Sequence, residues 1–437
     1  MSPPNDNHQA GIEVRQAALR ALTAIDEGAW STTAVQRVID QLPSARDRAF
    51  MSHLVYETVR WQGSIDHALA TVSVRPLEQI EPELFHILRL GVAQLCISRV
   101  PARAAVDTSV TLAKRTVPAA RKNAAGGFVN GILRAVARHG QGFAWLVDDT
   151  TDITTRLSLT TGHPRWIVSA VLAQCDAKEA EAFLNANNTS PGVTLRAITD
   201  RDEALAVLQQ RGVDATAGAH PQAIRTDGFD PSRDLLIKDG TVVVQDEASM
   251  YVVDAIDVTS GHSVLDLCAG PGGKALDLAG RVGPNGRVVA VELHPHRAQM
   301  ITDAAKRVSL TVDVRVGDAT KPPLTADELF DRVLVDAPCS GLGTGRRRPE
   351  VRWRKRPEDV TSLASLQHEL LEAAWRHTRP GGLVTYAVCT YTADETRGVC
   401  ETFSLGHPEA VPVTSRQLLP HVDDTDGMFY ATWQRPE

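Results

Sequence analysis

From about residue 245 onwards, the sequence alternates short apolar stretches with longer stretches of helical periodicity. This alternation predicts five strands at 263–267, 287–292, 312–316, 332–336 and 383–387, and helices at 274–279, 295–308 and 360–377. A chain with this pattern folds into a doubly wound, mainly parallel sheet with helices on both faces. Such sheets bind ligands at the carboxyl ends of their strands, so a functional site is expected there.

Acidic and thiol side chains lie at four of these predicted strand ends. Glu292 ends the second strand, Asp318 follows the third, Asp336 ends the fourth and Cys389 follows the fifth. Because the carboxyl ends of parallel strands share one edge of the sheet, we expect these side chains to gather at that edge. We interpret this coincidence as a catalytic site rather than as a row of solvated strand ends.

A glycine-rich turn follows the first predicted strand. Gly270, Gly272 and Gly273 allow a tight turn and a close approach of backbone N–H groups to a ligand. The turn matches neither the dinucleotide GxGxxG pattern nor a GKS/T phosphate loop. Glu292 is placed to bind ribose hydroxyls, and Asp318 could lie beside an adenine amino group. Recognition of ribose and adenine without a phosphate grip suggests S-adenosylmethionine as the cofactor.

Two cysteines accompany this turn: Cys339, in the sequence DAPCSG, and Cys389, in the sequence VCT. Carbon 5 of cytosine is a poor nucleophile, and it takes a methyl group only after a thiolate has added to carbon 6. Either cysteine could supply that thiolate in principle. Asp336, on the same loop as Cys339, could hydrogen-bond the ring at N3 when it is protonated or shares a proton, and so stabilise the developing charge. The pattern therefore predicts covalent catalysis on a base.

The chain upstream of residue 245 has a different organisation. Residues 12–140 show helical periodicity throughout and are predicted to form an all-helical domain. Residues 141–190 read as a short helical connector, and residues 191–245 read as a small mixed unit with strands at 193–197 and 213–217 around a helix at 201–210.

Bulk composition excludes several classes of protein. Hydrophobic residues make up 43% and charged residues 23% of the 437 residues, as in a globular protein of several domains. No apolar run approaches the length of a membrane span, and residues 1–10 are polar, without the apolar core of a signal sequence. The six cysteines contain no CxxC pair, which favours a reducing cytoplasm and argues against a zinc site. The sequence thus predicts a cytoplasmic protein without a membrane or metal partner.

The net charge of −7 conceals local basic regions. Residues 1–140 carry 16 basic and 12 acidic side chains, and residues 341–360 carry 7 basic and 3 acidic side chains. The first region contains the cluster of Lys114, Arg115, Arg121 and Lys122. Two basic regions on an acidic protein predict a specific RNA binder rather than an indiscriminate one.

Taken together, the motifs resemble those of a known family. CAGPGGK at 268–274, DAPCSG at 336–341, GRRRPEVRW at 345–353 and YAVCT at 386–390 resemble the RNA cytosine-5 methyltransferase family that includes the Sun, NOP and RsmB enzymes. QDEAS at 245–249 and DGMFY at 426–430 resemble the segments that open and close that family's catalytic domain. The helical N-terminus, with FVNGILR at 128–134, is similar to the NusB-type RNA-binding domain of the bacterial RsmB subgroup.

The resemblance implies a multidomain fold and a substrate. Residues 12–140 are expected to form an all-α, NusB-like RNA-binding domain, residues 141–245 a connector with a small α/β RNA-binding unit, and residues 246–437 an α/β, Rossmann-like methyltransferase domain. The implied cofactor is S-adenosyl-L-methionine. The implied partner is RNA, in the first place small-subunit ribosomal RNA.

The family's site residues carry over to matching positions of this sequence. Cys389 matches the nucleophile, Cys339 matches the second cysteine, which is associated with release of the methylated product, and Asp336 completes the catalytic set. Arg297 matches a basic position near the cofactor. The residues implied to form the cofactor site are Cys268, Ala269, Gly270, Pro271, Gly272, Gly273, Lys274, Glu292, Arg297, Asp318 and Asp336.

The sequence departs from the family pattern at two places. Val388 stands where a threonine usually precedes the nucleophile, and residues 394–396 read Asp-Glu-Thr where the family usually has Glu-Glu-Asn. Both departures bear on the fine geometry of the site. Trp353 and the arginines around it are expected to stack a base and bind phosphates; those arginines are Arg346, Arg347, Arg348, Arg352 and Arg354.

Two other functions compete with methylation of carbon 5. Methylation of an exocyclic amine usually uses an Asn/Asp-Pro-Pro-aromatic loop and no covalent cysteine, whereas the loop here is DAPC. An RNA-assembly factor with a decayed cofactor fold would not need an intact glycine turn, Asp336 and two cysteines. Binding of S-adenosylmethionine would separate this last class from the enzymes.

Overall fold

A computed structural model describes residues 6–231 and 234–437, so that the first five residues of the polar stretch 1–10 lie outside the described part. The chain divides into two compact units. The first, the helical unit, contains the chain up to Asn188 together with Arg347–Arg354. The second, the sheet unit, contains Thr189–Arg346 and Lys355–Glu437. The division of the chain into three domains at residues 140 and 245 stays a prediction.

The helical unit is built from amphipathic helices that bury one face each. Val14, Ala18 and Leu22, which recur at helical spacing, lie in its apolar core, as do Leu84 and Leu88. Its helices are α1 (Asp6–Asp26), α2 (Ser31–Ile39), α3 (Ala45–Arg60), α4 (Gln62–Val72), α5 (Pro82–Cys96), α6 (Ala102–Thr116), α7 (Lys122–Ala137), α8 (Ile153–Thr161), α9 (Arg165–Leu172) and α10 (Ala177–Ala186).

Helix boundaries in this unit follow local chemistry. Pro82 begins α5, at a position where its missing N–H costs no helical hydrogen bond. The side chains of Asp152 and Asp176 accept hydrogen bonds from the first free N–H groups of α8 and α10. Gly162, with a φ of 67°, ends α8 in the left-handed conformation. The predicted all-helical N-terminal region is confirmed.

The segment 347–354 (RRPEVRWR) is an integral part of the helical unit, although it is distant in sequence. Arg352 is 2% exposed and donates to the carbonyl oxygens of Arg60 and Asn187 and to the Asn188 side chain. The Trp353 indole N–H donates to the Val59 carbonyl oxygen at 2.7 Å. Hydrogen bonds from the side chains of Arg352 and Trp353 therefore hold the segment in the helical unit.

Three more contacts hold this segment in the helical unit. Glu350 accepts the backbone N–H of Ser31 at 2.8 Å, Arg354 donates to the carbonyl oxygens of Ile25 and Ala29, and Gly63 leaves room for the Trp353 ring. The expectation that Arg352, Trp353 and Arg354 bind RNA is wrong, because their polar groups are bound to protein. Arg348 lies exposed above the Trp30 ring.

Replacing Arg352 with alanine is expected to lower the free energy of unfolding of the helical unit by about 3 kcal/mol, because buried carbonyl oxygens lose their donor. Arg348→Ala, at the exposed position four residues earlier, is the matched control and should change this free energy by at most about 0.5 kcal/mol. Urea unfolding followed by tryptophan fluorescence measures both. Equal losses in the two variants would contradict the anchoring role of Arg352.

The sheet unit begins with a small antiparallel sheet in the order β2-β3-β1-β4. Strand β1 and helix α11 fall at the predicted residues, whereas β3 and β4 were not predicted. Its core consists of apolar residues such as Leu195, Leu208 and Ile224. Its elements are β1 (Val193–Ala197), α11 (Arg201–Gln210), β2 (Asp214–Ala217), β3 (Ala223–Asp227) and β4 (Val242–Val244).

A seven-stranded sheet forms the rest of the unit, in the order β10-β11-β9-β8-β5-β6-β7. Strands β5 to β9 pair in parallel, and β10 and β11 add an antiparallel hairpin. The elements are α12 (Glu247–Ala255), β5 (Ser263–Asp266), α13 (Gly273–Val282), β6 (Arg287–Glu292), α14 (Pro295–Arg307), β7 (Asp313–Val316), β8 (Phe330–Asp336), α15 (Pro357–His377), β9 (Thr378–Val388), α16 (Val399–Gly406), β10 (Val411–Leu418) and β11 (Met428–Gln434).

The strand order positions the site. Strand β5 lies between β6 and β8, so the sheet reverses its winding direction beside β5, and a crevice opens at the carboxyl ends there. The register sets Asp266 opposite Ala290, and Asp336 opposite Ala387. The predicted doubly wound α/β sheet is confirmed. Among the described residues, no helix has both the length and the apolar character that crossing a membrane requires.

Candidate active site

A cleft with a cavity volume of about 260 Å³ opens at these carboxyl ends. It lies where doubly wound sheets bind small molecules. The glycine turn, the end of β8 and the end of β9 contribute Gly270, Lys274, Asp336 and Cys389 to its wall. The segments 245–249 and 426–428 contribute further residues, so the predicted opening and closing segments meet here. The backbone N–H of Asp426 donates to Asp246 at 3.2 Å.

The glycine turn crosses above the end of β5 and leads into α13. Gly272 has a φ of 109° and stands at the N-terminus of this helix, a conformation that favours glycine. A Cβ atom at Gly270 would overlap the Glu292 carboxylate and would lie 2.9 Å from Nε of Arg297. The turn therefore approaches its neighbours as closely as a residue without a side chain permits.

Glu292 and Arg297 brace this turn. The Arg297 guanidinium donates to the carbonyl oxygen of Gly270 at 2.5 Å, and its Nε lies 3.7 Å from the Glu292 carboxylate. Glu292 also accepts the backbone N–H of His294. Asp318 lies exposed after β7, where the backbone N–H and hydroxyl of Thr320 lower its pKa. The buried Glu292 carboxylate beside the glycine turn is compatible with a cofactor that carries a ribose, and the assignment of Glu292 and Asp318 to ribose and adenine stays a prediction.

Asp266 closes the bottom of the cleft. Its side chain is 1% exposed, and its Oδ1 atom has no hydrogen-bond partner in the described part of the chain. Burial raises the pKa of this carboxyl to about 7, the charge of Asp336 adds to the rise, and Lys274 opposes it. Sequence reasoning missed Asp266, because an aspartate at a strand end beside a glycine turn has no distinct pattern.

Lys274 and Asp336 form an ion pair on the wall of the cleft, with 2.7 Å between Nζ and Oδ2. Burial by itself would lower the pKa of Lys274, but the charge and hydrogen bond of Asp336 outweigh it and raise this pKa. Lys274 therefore stays protonated at neutral pH. The pair places a proton donor on Asp336, the residue that is expected to face the base.

The Sγ atoms of Cys339 and Cys389 lie 3.1 Å apart. Cys389 lines the cleft directly, and both residues are half-buried free thiols. The contact with Cys389, together with burial, raises the pKa of Cys339 well above the ordinary value of a thiol. The two cysteines that the sequence singled out, 50 residues apart, thus meet at one point of the site.

Close backbone packing holds the loops that carry the cysteines. The N–H of Gly343 donates to the carbonyl oxygen of Cys389, and the N–H of Gly427 donates to that of Gly343. A Cβ atom at Gly343 would overlap the carbonyl oxygen of Gly427, so only glycine permits this approach.

Both departures from the family pattern, Val388 and Thr396, lie at buried positions. Val388 is fully buried in the apolar core of the sheet, where it lies opposite Phe429 of the neighbouring strand β11. Val388 does not line the cleft, although the next residue, Cys389, does. Thr396 donates its hydroxyl to the carbonyl oxygen of Thr392 at 2.7 Å and stabilises the turn after the cysteine.

The structure brings most predicted site residues together and leaves some apart. Glu292 and Arg297 lie beside the glycine turn and Asp318 lies exposed after β7, all three outside the cleft lining, whereas Cys339 reaches the cleft through its contact with Cys389. Arg346, expected to bind phosphate, is buried and bound to the carbonyl oxygens of Thr189 and Thr425 and to Asp424. That expectation for Arg346 is wrong.

Comparison with known proteins identifies the relationships of this chain. Residues 253–434 match the family model of the 16S rRNA methyltransferase RsmB/F, residues 12–138 match the NusB family, and residues 163–230 match the ferredoxin-like domain of RsmF/B-like methyltransferases. The chain is 31% identical to the ribosomal RNA small subunit methyltransferase B of Yersinia enterocolitica, over 96% of this chain and 97% of that protein.

Two further similarities extend over almost the whole chain. A Mycobacterium tuberculosis protein, whose name assigns it only provisionally to the methyltransferases, is 38% identical over 96% of each chain. The crystal structure of PH0851 superposes with a TM-score of 0.83 at 24% identity, over 97% of this chain and 99% of that one. The similarity to the PH0851 structure, at 24% identity, supports only the fold of this chain. The chain therefore belongs to the 16S rRNA methyltransferase RsmB/F family, whose cofactor is S-adenosylmethionine.

Proposed function

We propose that this protein methylates carbon 5 of a cytosine in small-subunit ribosomal RNA, in the cytoplasm, through a covalent adduct with Cys389. The observation that carries this proposal is the pair of thiols 3.1 Å apart beside the Lys274–Asp336 ion pair. Methylation of an exocyclic amine needs no thiol at all, since the amine nitrogen is itself the nucleophile.

When bound, S-adenosylmethionine supplies an electrophilic methyl group. The Cys389 thiolate forms a bond to carbon 6 of a cytosine turned into the cleft, and electron density moves towards carbon 5 and N3. A proton that Lys274 shares with Asp336 is donated to N3 through the Asp336 carboxyl group and stabilises the negative charge that develops there. Carbon 5 then becomes nucleophilic enough to take the methyl group.

Release of the product reverses the addition. A base removes the proton from carbon 5, and the electron pair left there expels the Cys389 sulfur from carbon 6. Cys339 is in place to assist the departure of this sulfur, because the two sulfur atoms lie 3.1 Å apart. A thiol whose pKa is raised carries a proton at neutral pH, so Cys339 can donate a proton to the departing thiolate.

The helical unit is proposed to bind the RNA. Lys114, Arg115, Arg121 and Lys122 all lie exposed near the junction of α6 and α7. Arg121 pairs with Glu81, whereas the Lys114 stem rests on Gly126 and leaves the ammonium at the surface. Exposed cations of this kind bind phosphates without reading the sequence.

Bisulfite sequencing of the ribosomal RNA from cells with and without the gene tests the function. We expect one protected cytosine of the small-subunit RNA to lose its protection without the gene. The wild-type gene should restore it, and Cys389→Ala should not. Identical maps would leave an assembly factor as the function, and a methylated exocyclic amine in the digested nucleosides would favour the other enzyme class.

A further inference from the structure

A carboxylate that plays no part in this mechanism lies behind the two cysteines. Glu395 is 0% exposed and belongs to a π-helical turn, Asp394–Gly398, that precedes α16. Such turns are rare and are frequent at functional sites. Sequence reasoning named Glu395 only as part of a departure from the family pattern, and assigned it no role.

Glu395 accepts hydrogen bonds from four neutral donors. The backbone N–H of Ser340 donates to Oε1 at 2.7 Å, and the Gln367 amide donates to the same atom at 3.0 Å. The hydroxyl groups of Thr392 and Thr390 donate to Oε2 at 2.8 and 3.3 Å. Both oxygens of the carboxyl group therefore act as hydrogen-bond acceptors.

These donors connect Glu395 to both cysteine-bearing loops. Ser340 directly follows Cys339, and Thr390 directly follows Cys389. The hydroxyl groups of Ser340 and Thr390 also lie 2.8 Å apart, which closes a ring of hydrogen bonds around the carboxylate. One buried side chain therefore binds the residue after each thiol.

Two buried side chains support the carboxylate from the helix α15 and from β9. Gln367 donates to the Pro338 carbonyl oxygen, just before Cys339, as well as to Glu395. The Tyr386 hydroxyl lies within hydrogen-bond distance of both Gln367 and the Glu395 carbonyl oxygen. The side chains of Gln367, Tyr386 and Glu395 are fully buried, and each has a hydrogen-bond partner within this network.

We propose that Glu395 is a positioning residue that holds the loops of Cys339 and Cys389 in register, so that one thiol attacks while the other stays protonated within reach of it. The inference deepens the proposed function, because it assumes that the two cysteines have different roles. The negative charge of Glu395 disfavours a second negative charge on Cys339 and adds to the effects of Cys389 and burial on its pKa.

Two variants distinguish the effect of the Glu395 charge from the effect of the length of its side chain. Glu395→Gln keeps the length of the side chain and removes the charge, whereas Glu395→Asp keeps the charge and shortens the reach to Ser340. Glu401→Gln, at an exposed position on the following helix, is the matched control for loss of a carboxylate.

Thiol alkylation in the full-length protein gives the first measurement, with iodoacetamide as the probe and peptide mass spectrometry to resolve each cysteine. At pH 8, Glu395→Gln should raise the alkylation rate of Cys339 roughly three- to tenfold, because the thiolate fraction rises. Glu395→Asp should raise it less than Glu395→Gln does, and Glu401→Gln should leave it unchanged. Alkylation needs neither RNA nor methyl transfer, so this arm stands even if the methylated atom is not carbon 5.

Steady-state kinetics give the second measurement. Both Glu395 variants should lower kcat about ten- to a hundredfold, while KM for RNA stays within about twofold. Unchanged alkylation together with unchanged kcat would overturn the inference. Lower stability with both readouts at wild-type values would reduce Glu395 to a structural residue. If neither variant folds, Thr392→Val, which removes one donor, should shift both readouts in the same directions by a smaller factor, and its failure to do so would also overturn the inference.

Discussion

Replacing Cys389 with alanine is expected to abolish methyl transfer, by at least about a thousandfold, because no other step can activate carbon 5. Replacing Cys339 with alanine is expected to slow the release of the methylated RNA and to leave the attack on carbon 6 intact. The Cys389 thiolate still attacks, and carbon 5 is still methylated, but the adduct is released slowly because the neighbouring thiol is gone. A covalent protein–RNA complex should therefore accumulate in the Cys339 variant only.

A denaturing gel with labelled RNA and S-adenosylmethionine reads this difference directly. Cys400→Ala is the matched control, because burial raises the pKa of that half-buried thiol to about 12 and it lies outside the cleft lining. It should methylate and release RNA as the wild type does. Accumulation in the Cys389 variant, with none in the Cys339 variant, would exchange the two roles. Methylation without a trapped complex in both variants would exclude covalent catalysis.

The architecture of the sheet unit was predictable because its periodic signals agree with its motifs. Most of the parallel strands contain a short apolar run, and four of the predicted strand ends carry a residue that the sequence singled out. The antiparallel strands β10 and β11 were not predicted. Six of the eight residues of β10 are exposed, so this edge strand lacks the apolar alternation on which the prediction of strands depends.

The segment 347–354 shows why a basic stretch cannot be interpreted from charge alone. An arginine can bind phosphates or backbone carbonyl oxygens with the same donors, and the sequence does not distinguish them. Arg352 donates to the carbonyl oxygen of Arg60 and Arg354 to that of Ile25, 292 and 329 positions away in the chain. Deletion of residues 1–140 would remove most of the hydrogen-bond partners of the segment 347–354. RNA binding by the helical unit is therefore better tested by substituting its exposed basic residues.

The sequence predicts the reactive residues of the candidate site, but it does not predict the buried residues that hold them in place. The cysteines and Asp336 have motifs because the chemistry needs those residue types. Glu395 acts through hydrogen bonds to backbone and hydroxyl groups, which no residue pattern requires. Its partner Gln367 lies 28 positions upstream, on a helix that the sequence predicts only as amphipathic.

Placing alanine at Gly270 is expected to weaken S-adenosylmethionine binding about ten- to a hundredfold, because the added Cβ overlaps the Glu292 carboxylate and displaces the Arg297 guanidinium. Both side chains brace the turn that faces the cofactor. Valine at Gly272 would also obstruct binding, but through backbone strain at a φ of 109° as well as contact with Ile301, and it is the less specific variant.

Gly280→Ala is the matched control for this prediction. Gly280 lies in the same helix as the end of the glycine turn, and a Cβ there meets no atom within 4 Å. This variant should keep wild-type affinity and gain up to about 1 kcal/mol of stability from helix propensity. Titration calorimetry with S-adenosylmethionine measures the affinity, and thermal unfolding checks that Gly270→Ala still folds. Wild-type affinity in a folded Gly270→Ala protein would remove this turn from the cofactor site, and the assignment of Glu292 to the ribose would fall with it.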